Sequence, residues 1–556
     1  MTMYLETYIS SVLEAACSAV LDDAVAPIEV RPTDRPEFGD FSSNVALVSA
    51  SKAKCNPREL SERLAERIRE EHPNAFREVR VEGPGFINVF LHPETIQAAL
   101  QHSLDQGERI GCSEQGAGIR TQLEFVSTNP TGPLTVGHGR QAVLGDALAN
   151  LYAHLGFDVT REYYFNDEGR QIDLLAESLW VRHRELLGES HEIPEGGYQG
   201  EYLADVAATL HSELEAAGTT AAYETFDEEA RAFYRREAVD RLTATIKDDL
   251  ALLGVGFDNW FSEATLHRSG EVDAALEELR RLDGVYEEDG AVWLRSEDHG
   301  AAQDAVVIRS NGRPTYLMVD IAYHLNKKAR GFDRVINVQG ADHHAELTYV
   351  IAALRILGLP DGWLQYAIHQ FVSLKEGGEA LKMSTRAGRF VTLHDLLSEL
   401  GGDVVRWFMI SRKPEAHLDF DLDLARSASQ DNPATYVQYA HTRIASVFRK
   451  AEDRIGNEDW ATVDLGLLTE AEEFDLIKAL DRFGEVIETA AFSFAPHLLA
   501  DYALQLSRAF HAYYDKHRVL SDDNALTRAR LALLQGMRLV LRQSLRLLGM
   551  SAPEEM

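Results

Sequence analysis

Glu124-Phe125-Val126-Ser127-Thr128-Asn129-Pro130-Thr131-Gly132-Pro133-Leu134-Thr135-Val136-Gly137-His138-Gly139-Arg140 decides how this 556-residue chain folds. The apolar run from Leu123 to Ser127 reads as a short buried strand, and the Pro- and Gly-rich segment after it as a turn. The stretch from about Gly137 through Ala149 to Leu155 reads as a helix. Strand, turn and helix N-terminus make an anion site, because the N–H groups of the first turn lack partners within the helix and the helix dipole is positive there. Gly137 has no Cβ, so a flat base or a phosphate can reach the backbone. His138, on the first turn, can donate to a ribose or phosphate oxygen.

A second segment, Leu381-Lys382-Met383-Ser384-Thr385-Arg386-Ala387-Gly388, answers the first from far along the chain. Lys382 is a mobile cation, flanked by Ser384, a glycine and arginines, which is the composition of a flexible loop that closes over a polyphosphate. Either motif alone says little. Paired at this separation they point to one ATP site that the fold must assemble.

Around them, residues 116–415 alternate apolar strands with helical patterns, which predicts an α/β domain with a doubly wound parallel sheet, Rossmann-like in its nucleotide binding. Inside it, about 185–300 is acidic and reads as a largely helical insertion, with Glu201, Glu213, Glu224, Asp227, Glu228 and Glu229 on polar faces. The strand Val335 to Gln339 ends in Gly340-Ala341-Asp342-His343-His344, groups that suit ribose hydroxyls and an adenine edge. A resident metal is not expected here, since adjacent histidines rarely converge on one ion and no further ligand stands at a recognised spacing. Magnesium is expected only as the companion of ATP phosphates.

Residues 1–115 read as an α+β domain, with a helical start, a turn at Phe38-Gly39-Asp40-Phe41, two more helical stretches and a strand over Gly85 to Phe90. Residues 416–556 read as an all-α bundle, with amphipathic stretches at 433–452, 470–491, 496–518 and 524–548. A net charge of −34 excludes a generic nucleic-acid binder, so any contact with RNA has to use local positive charge. The C-terminal stretch offers it in Arg508, Lys516, Arg518, Arg528, Arg530, Arg538, Arg542 and Arg546. There is no apolar run of about 18 residues and no basic start before an apolar core, which predicts a cytoplasmic protein without membrane contact. Cys17, Cys55 and Cys112 are three and far apart, which fits reduced thiols.

The two loops resemble the signatures of class I aminoacyl-tRNA synthetases, His-x-Gly-His and Lys-Met-Ser-Lys-Ser. Their surroundings resemble arginyl-tRNA synthetases: Ser127 to Pro133, Asn166-Asp167-Glu168-Gly169-Arg170-Gln171-Ile172, Gln339 to His344, Leu418-Asp419-Phe420-Asp421-Leu422 and Tyr436-Val437-Gln438-Tyr439-Ala440-His441-Thr442-Arg443. The likeness runs from near Phe38 to the last residues. Two positions depart from the pattern: Thr135 replaces the first histidine and Thr385 the second lysine. Loss of one such donor typically costs about 2.7 to 4 kcal/mol of transition-state stabilisation.

The resemblance implies ATP-dependent attachment of L-arginine to tRNA(Arg) through an arginyl-adenylate, by a monomer that needs bound tRNA before it activates arginine. It implies His138, Lys382 and Ser384 as catalytic residues, and Thr135, Gly137, His138, Gly340, Asp342, His343, Lys382, Met383 and Ser384 as the ATP site. Glu124, Asn129, Tyr316 and Asp320 are implied for arginine. Tyr316 and Asp320, four apart, share a helical face, and the five donors of a guanidinium demand such carboxylates and hydroxyls. Phe41 and Asn44 are implied contacts to the tRNA elbow, and Tyr439 and Met556 to the anticodon. Three other readings compete: a class I synthetase for another amino acid, a tRNA-binding or regulatory protein that has lost catalysis, and a small-molecule nucleotidyltransferase.

Overall fold

A computed structural model of the chain describes residues 4–21, 26–33, 35–219, 223–381, 391–455 and 459–556, other than the side chains of 343–345 and 453–455. Its centre is a five-stranded sheet of β1 (Arg120–Glu124), β2 (Asp158–Phe165), β3 (Asn259–Ser262), β4 (Arg334–Gly340) and β5 (Leu364–His369). Their spatial order is β5-β4-β1-β2-β3, and every neighbouring pair is parallel. Helix α1 (Val136–His154) links β1 to β2, and α2 (Tyr316–Ala329) precedes β4. After β1 the chain winds outward through β2 and β3, then returns to lay β4 against the other side of β1. Strand order therefore reverses between β1 and β4, and in such sheets ligands bind at the carboxyl ends of the strands beside that reversal.

Both faces of this sheet are covered, which explains why Thr121, Gln122, Leu123 and Glu124 of β1 are all buried. The Phe125 ring lies so close to Gly145 of α1 that a methyl group there would collide with it. Strand β1 is shorter than the sequence pattern implies, ending at Glu124 rather than Ser127. Val126 and Ser127 take left-handed backbone conformations, φ 69° and 42°, which no strand accommodates. Ser127 Oγ holds this bend by donating to Glu124 Oε1 (2.9 Å) and accepting from Tyr164 N (3.2 Å).

The acidic stretch 185–300 is helical through Glu201–Ala216, Glu228–Leu252, Ala264–Ser269 and Glu271–Arg281, but it also carries strands. Its residues Asn259–Ser262 are β3, the edge of the central sheet, where Trp260 stacks on Tyr163 at 4.2 Å. Four residues are too few for a strand period to show in sequence. Val285–Glu288, Ala291–Leu294 and Ala305–Ile308 then form a separate antiparallel sheet.

The N-terminal domain is a four-stranded antiparallel sheet, Val30–Pro32, Phe41–Ser43, Phe86–Leu91 and Phe76–Glu82 in spatial order, packed with helices. The C-terminal bundle comprises Pro433–Ile455, Ala471–Asp481, Phe483–Phe492, His497–Lys516 and Asn524–Leu547; the stretch 470–491 breaks at Arg482. Asp481 Oδ2 accepts from Leu5 N (2.7 Å) and Lys478 pairs with Asp40 (3.0 Å), which ties the bundle to the first domain. Arg406 donates to the carbonyls of Leu548 (2.8 Å) and Leu253 (3.0 Å) and pairs with Asp146 of α1, which ties it to the second.

Candidate active site

The N-terminus of α1 stands at the carboxyl ends of β1 and β4. Thr135 is its N-cap residue, and the Thr135 N–H donates to His138 Nδ1 at 3.1 Å. A backbone N–H can only donate, so Nδ1 is an acceptor and the imidazole proton sits on Nε2. Burial, with the neighbouring His369, lowers the His138 pKa to about 4, which keeps the ring neutral. His138 is thus a fixed N–H donor with its proton on Nε2. A Cβ placed on Gly137 would meet only Thr135 Oγ1, at 3.7 Å, so the protein leaves space above that backbone. At Gly340 the reason for glycine differs, since a Cβ would sit 2.5 Å from the Asp342 carboxylate, which curls back over the end of β4. Asp342 is exposed; the His343 side chain lies outside the described residues.

Arg140, two residues past His138, is fully buried without a carboxylate bonded to it. It donates to the carbonyls of Gln370 (2.6 Å), Lys413 (3.0 Å) and Ala416 (3.0 Å). This cation fixes the first turn of α1 against the exit of β5.

A second cluster surrounds the carboxyl end of β1 on the α2 side. Buried Glu124 is paired with Lys327 Nζ at 2.6 Å, and the same ammonium donates to Asn337 Oδ1 at 3.0 Å. Asn337 Nδ2 donates to His324 Nε2 (3.1 Å), whose Nδ1–H therefore donates to the Asp320 carbonyl (2.7 Å). Half-buried Asp320 has its pKa raised to about 7, by burial first and then by the charges of Glu124 and Glu263, with Lys327 opposing. Glu263 accepts from Tyr164 Oη (2.5 Å) and Asn166 Nδ2 (2.7 Å). A carboxyl held this far above its usual range is a site short of positive charge.

Of the residues expected to hold an amino acid, Glu124 and Asp320 meet in this pocket. Asn129 lies at its edge, accepting from Asn166 N (3.1 Å) and donating to Gln171 (3.1 Å). Tyr316, 69% exposed, opens α2 one turn before Asp320. Sequence reasoning missed Lys327, His324 and Glu263. The first two repeat the Asp320 face at i+4 and i+7 and are findable by periodicity. Glu263 carries no such signal, because β3 alone brings it there.

Lys382, Met383, Ser384 and Thr385 lie outside the described residues, but both edges of their loop are seen. Leu381 N donates to Leu374 O (2.9 Å), which continues the hairpin of Val372–Glu376 and Glu379–Ala380. After the loop, Thr392 forms an antiparallel bridge with Thr135, and Leu393 N donates to Leu134 O (2.8 Å). Thr392 thus lies against the N-cap residue of α1.

Residues 4–91 match the arginyl tRNA synthetase N terminal domain, 99–409 the catalytic domain of class I tRNA synthetases (R), and 437–556 the DALR anticodon binding domain. The chain belongs to the arginyl-tRNA synthetase family. An arginine–tRNA ligase of Thermotoga maritima is 44% identical over 529 residues, which span 95% of this chain and 96% of that protein. One from Salinibacter ruber is 42% identical over 570 residues, with 100% of each chain covered. The solved arginyl-tRNA synthetase of Thermus thermophilus shares the fold, with a TM-score of 0.78 at 24% identity over 99% of this chain and 100% of that one.

The surfaces implied for RNA divide. Phe41 is 2% exposed and belongs to the core, because its strand turns that face inward. Asn44, half-buried, precedes the helix Val45–Ala53. In the anticodon-binding bundle, half-buried Tyr439 lies parallel to His511 (5.7 Å, 23°), Tyr436 meets the same ring edge-on (5.0 Å), and the Arg443 guanidinium covers Tyr514 at 4.4 Å. Met556 is 65% exposed. The basic C-terminal stretch is mostly neutralised: Lys516 pairs with Glu472, Arg530 with Glu473, Arg538 with Glu554, and Arg542 and Arg546 with Glu108. Free positive charge is therefore scarcer there than the sequence suggests. Among the described residues no helix is long and apolar enough to cross a membrane, and no group of three His, Cys, Asp or Glu is placed to hold a metal.

Proposed function

We propose that this synthetase joins L-arginine to tRNA(Arg) in two steps at the β1–β4 reversal. In the first, an oxygen of the arginine carboxylate attacks the α-phosphorus of ATP; the P–O bond to the β-phosphate breaks, and pyrophosphate leaves with its magnesium. In the second, a ribose hydroxyl of the terminal adenosine of tRNA attacks the carbonyl carbon, and AMP leaves. No protein nucleophile is required, so catalysis consists of positioning and charge stabilisation.

His138 Nε2–H donates to the phosphates, Gly137 admits the nucleotide, and Asp342 and His343 receive the ribose and base side. Lys382, Met383 and Ser384 bind the triphosphate, Lys382 stabilising its charge. Asp320 takes the guanidinium, backed by Glu124 and Glu263, with Asn129 and Tyr316 at the mouth. Magnesium arrives with ATP. Asn44, Tyr439 and Met556 contact tRNA, whose binding precedes activation, and the enzyme acts as a cytoplasmic monomer.

The observation that carries the choice of substrate is Asp320, a carboxyl pushed to about 7 among two other carboxylates at the carboxyl end of the sheet. A guanidinium there restores the missing charge, whereas an apolar amino acid would leave these groups unpaired. Loss of catalysis is less favoured, because His138 is held in the tautomer whose Nε2 carries a proton to donate. Arginine-dependent exchange of pyrophosphate into ATP, with and without tRNA, tests the proposal. Exchange only with tRNA supports it; a folded protein that binds tRNA yet exchanges with no amino acid refutes it.

A further inference from the structure

His369, the last residue of β5, is 8% exposed, yet among the described residues its Nε2 has no hydrogen-bond partner. Its Nδ1 lies 3.2 Å from Gln370 O. A carbonyl oxygen only accepts, so Nδ1 carries the proton and Nε2 presents a bare lone pair. Burial, and then the nearby Arg140 charge, lowers the pKa of this ring and keeps it neutral. A buried acceptor with nothing to accept from costs stability, and proteins rarely keep one without a use.

The position of the ring says what that use is. His369 stands in register opposite Gly340 on β4. The Gln370 carbonyl that fixes its Nδ1 also accepts from Arg140 Nη1 at 2.6 Å, so the ring is tied to the first turn of α1. It depresses the pKa of His138 and feels the charge of Asp342. Along β5 it has the opposite parity to Tyr366, whose hydroxyl feels Asp320 and Glu124, so His369 faces the nucleotide side of the sheet and not the amino-acid side.

We propose that His369 is a nucleotide-binding residue whose Nε2 accepts a hydrogen bond from a donor on ATP, a ribose hydroxyl or the adenine amino group. The inference rests on the reading of the β1–β4 reversal as the ATP site. It does not make His369 a substitute for the imidazole absent at Thr135, because a lone pair repels phosphate oxygens.

The test is equilibrium binding of magnesium nucleotides to the full-length protein and to its His369→Ala and His369→Asn variants, followed by calorimetry. The nucleotides are ATP, 2′-deoxy-ATP, 3′-deoxy-ATP and purine riboside triphosphate, which lacks the amino group. His369→Ala is expected to weaken ATP about tenfold, and His369→Asn, whose amide oxygen can accept, by less. One analogue should bind wild type and His369→Ala alike, which identifies the donor. Should His369→Ala fail to fold, His369→Phe fills the space without an acceptor and serves the same comparison. Equal ATP affinity in wild type and variant overturns the proposal while leaving the ATP site intact, as does an equal loss for all four nucleotides. Failure of the wild type to bind ATP overturns the site itself.

Discussion

Thr135 and Thr392, 257 positions apart, face each other across a single antiparallel bridge, and Leu393 N donates to Leu134 O at 2.8 Å beside it. The N-cap residue of α1 is thereby fastened to the segment that opens at Val391. Thr392 is itself an N-cap residue: its Oγ1 accepts from Asp395 N (3.0 Å), and its N–H donates to Asp395 Oδ2 (2.9 Å).

Thr392→Ala removes half of that capping box and should cost about 1 kcal/mol of stability. Because the cap steadies the segment that pairs with Thr135 beside the proposed ATP site, KM for ATP in pyrophosphate exchange should rise several-fold with a smaller change in KM for arginine. An unchanged KM for ATP would show that the Thr392 cap does not support the ATP site.

Asp320 sets a pH dependence. Its folded pKa of about 7 lies above the ordinary carboxyl value, and only the ionised form binds a guanidinium. Below pH 7, kcat/KM for arginine should fall about tenfold per unit. The linkage to folding runs the other way: a raised carboxyl pKa means that stability is lost as pH climbs from the unfolded value toward 7. Asp320→Asn should therefore melt higher than wild type at pH 8 while losing arginine activation. A variant that melts lower at pH 8 contradicts this.

The buried pair of Lys327 and Glu124 makes a prediction in three variants. Lys327→Met strands a carboxylate and should destabilise by about 3–5 kcal/mol, whereas Lys327→Met combined with Glu124→Gln should recover most of that. Urea unfolding of the single and double variants measures the coupling. Additive losses would mean that the two groups act separately.

His138 predicts an absence of effect. With its pKa near 4, it does not titrate in the working range, so the acidic limb of the activity profile should stay in place when His138 becomes Gln. The rate itself should drop about a hundredfold or more. A limb that disappears with the imidazole would assign it to His138 after all.

Tyr439→Ala should weaken tRNA binding and leave ATP binding as it was, because the ring stacks on His511 in the C-terminal bundle, apart from the central sheet. Filter binding of labelled tRNA beside ATP calorimetry separates the two. Equal loss of both would place the effect in folding.

Local chemistry settled much of this protein in advance. The turn of Pro and Gly before Val136–His154, the glycine at 137 and the long amphipathic helices after Pro433 each impose their conformation through nearby backbone and side-chain preferences, so the sequence alone located the strand, turn and helix around Thr135 and the helical bundle. It also named Asp320 and Glu124 as an acidic pair. Tertiary structure decided what those acids do. Lys327 neutralises Glu124, β3 carries Glu263 in from the acidic stretch, and the C-terminal arginines are spent on Glu108, Glu473 and Glu554. Spacing places Lys327 on the Asp320 face but does not name its partner, because charge pairing and burial depend on which strands lie side by side. That in turn is fixed by the return of β4 to the flank of β1, a long-range choice made by the packing of the whole core.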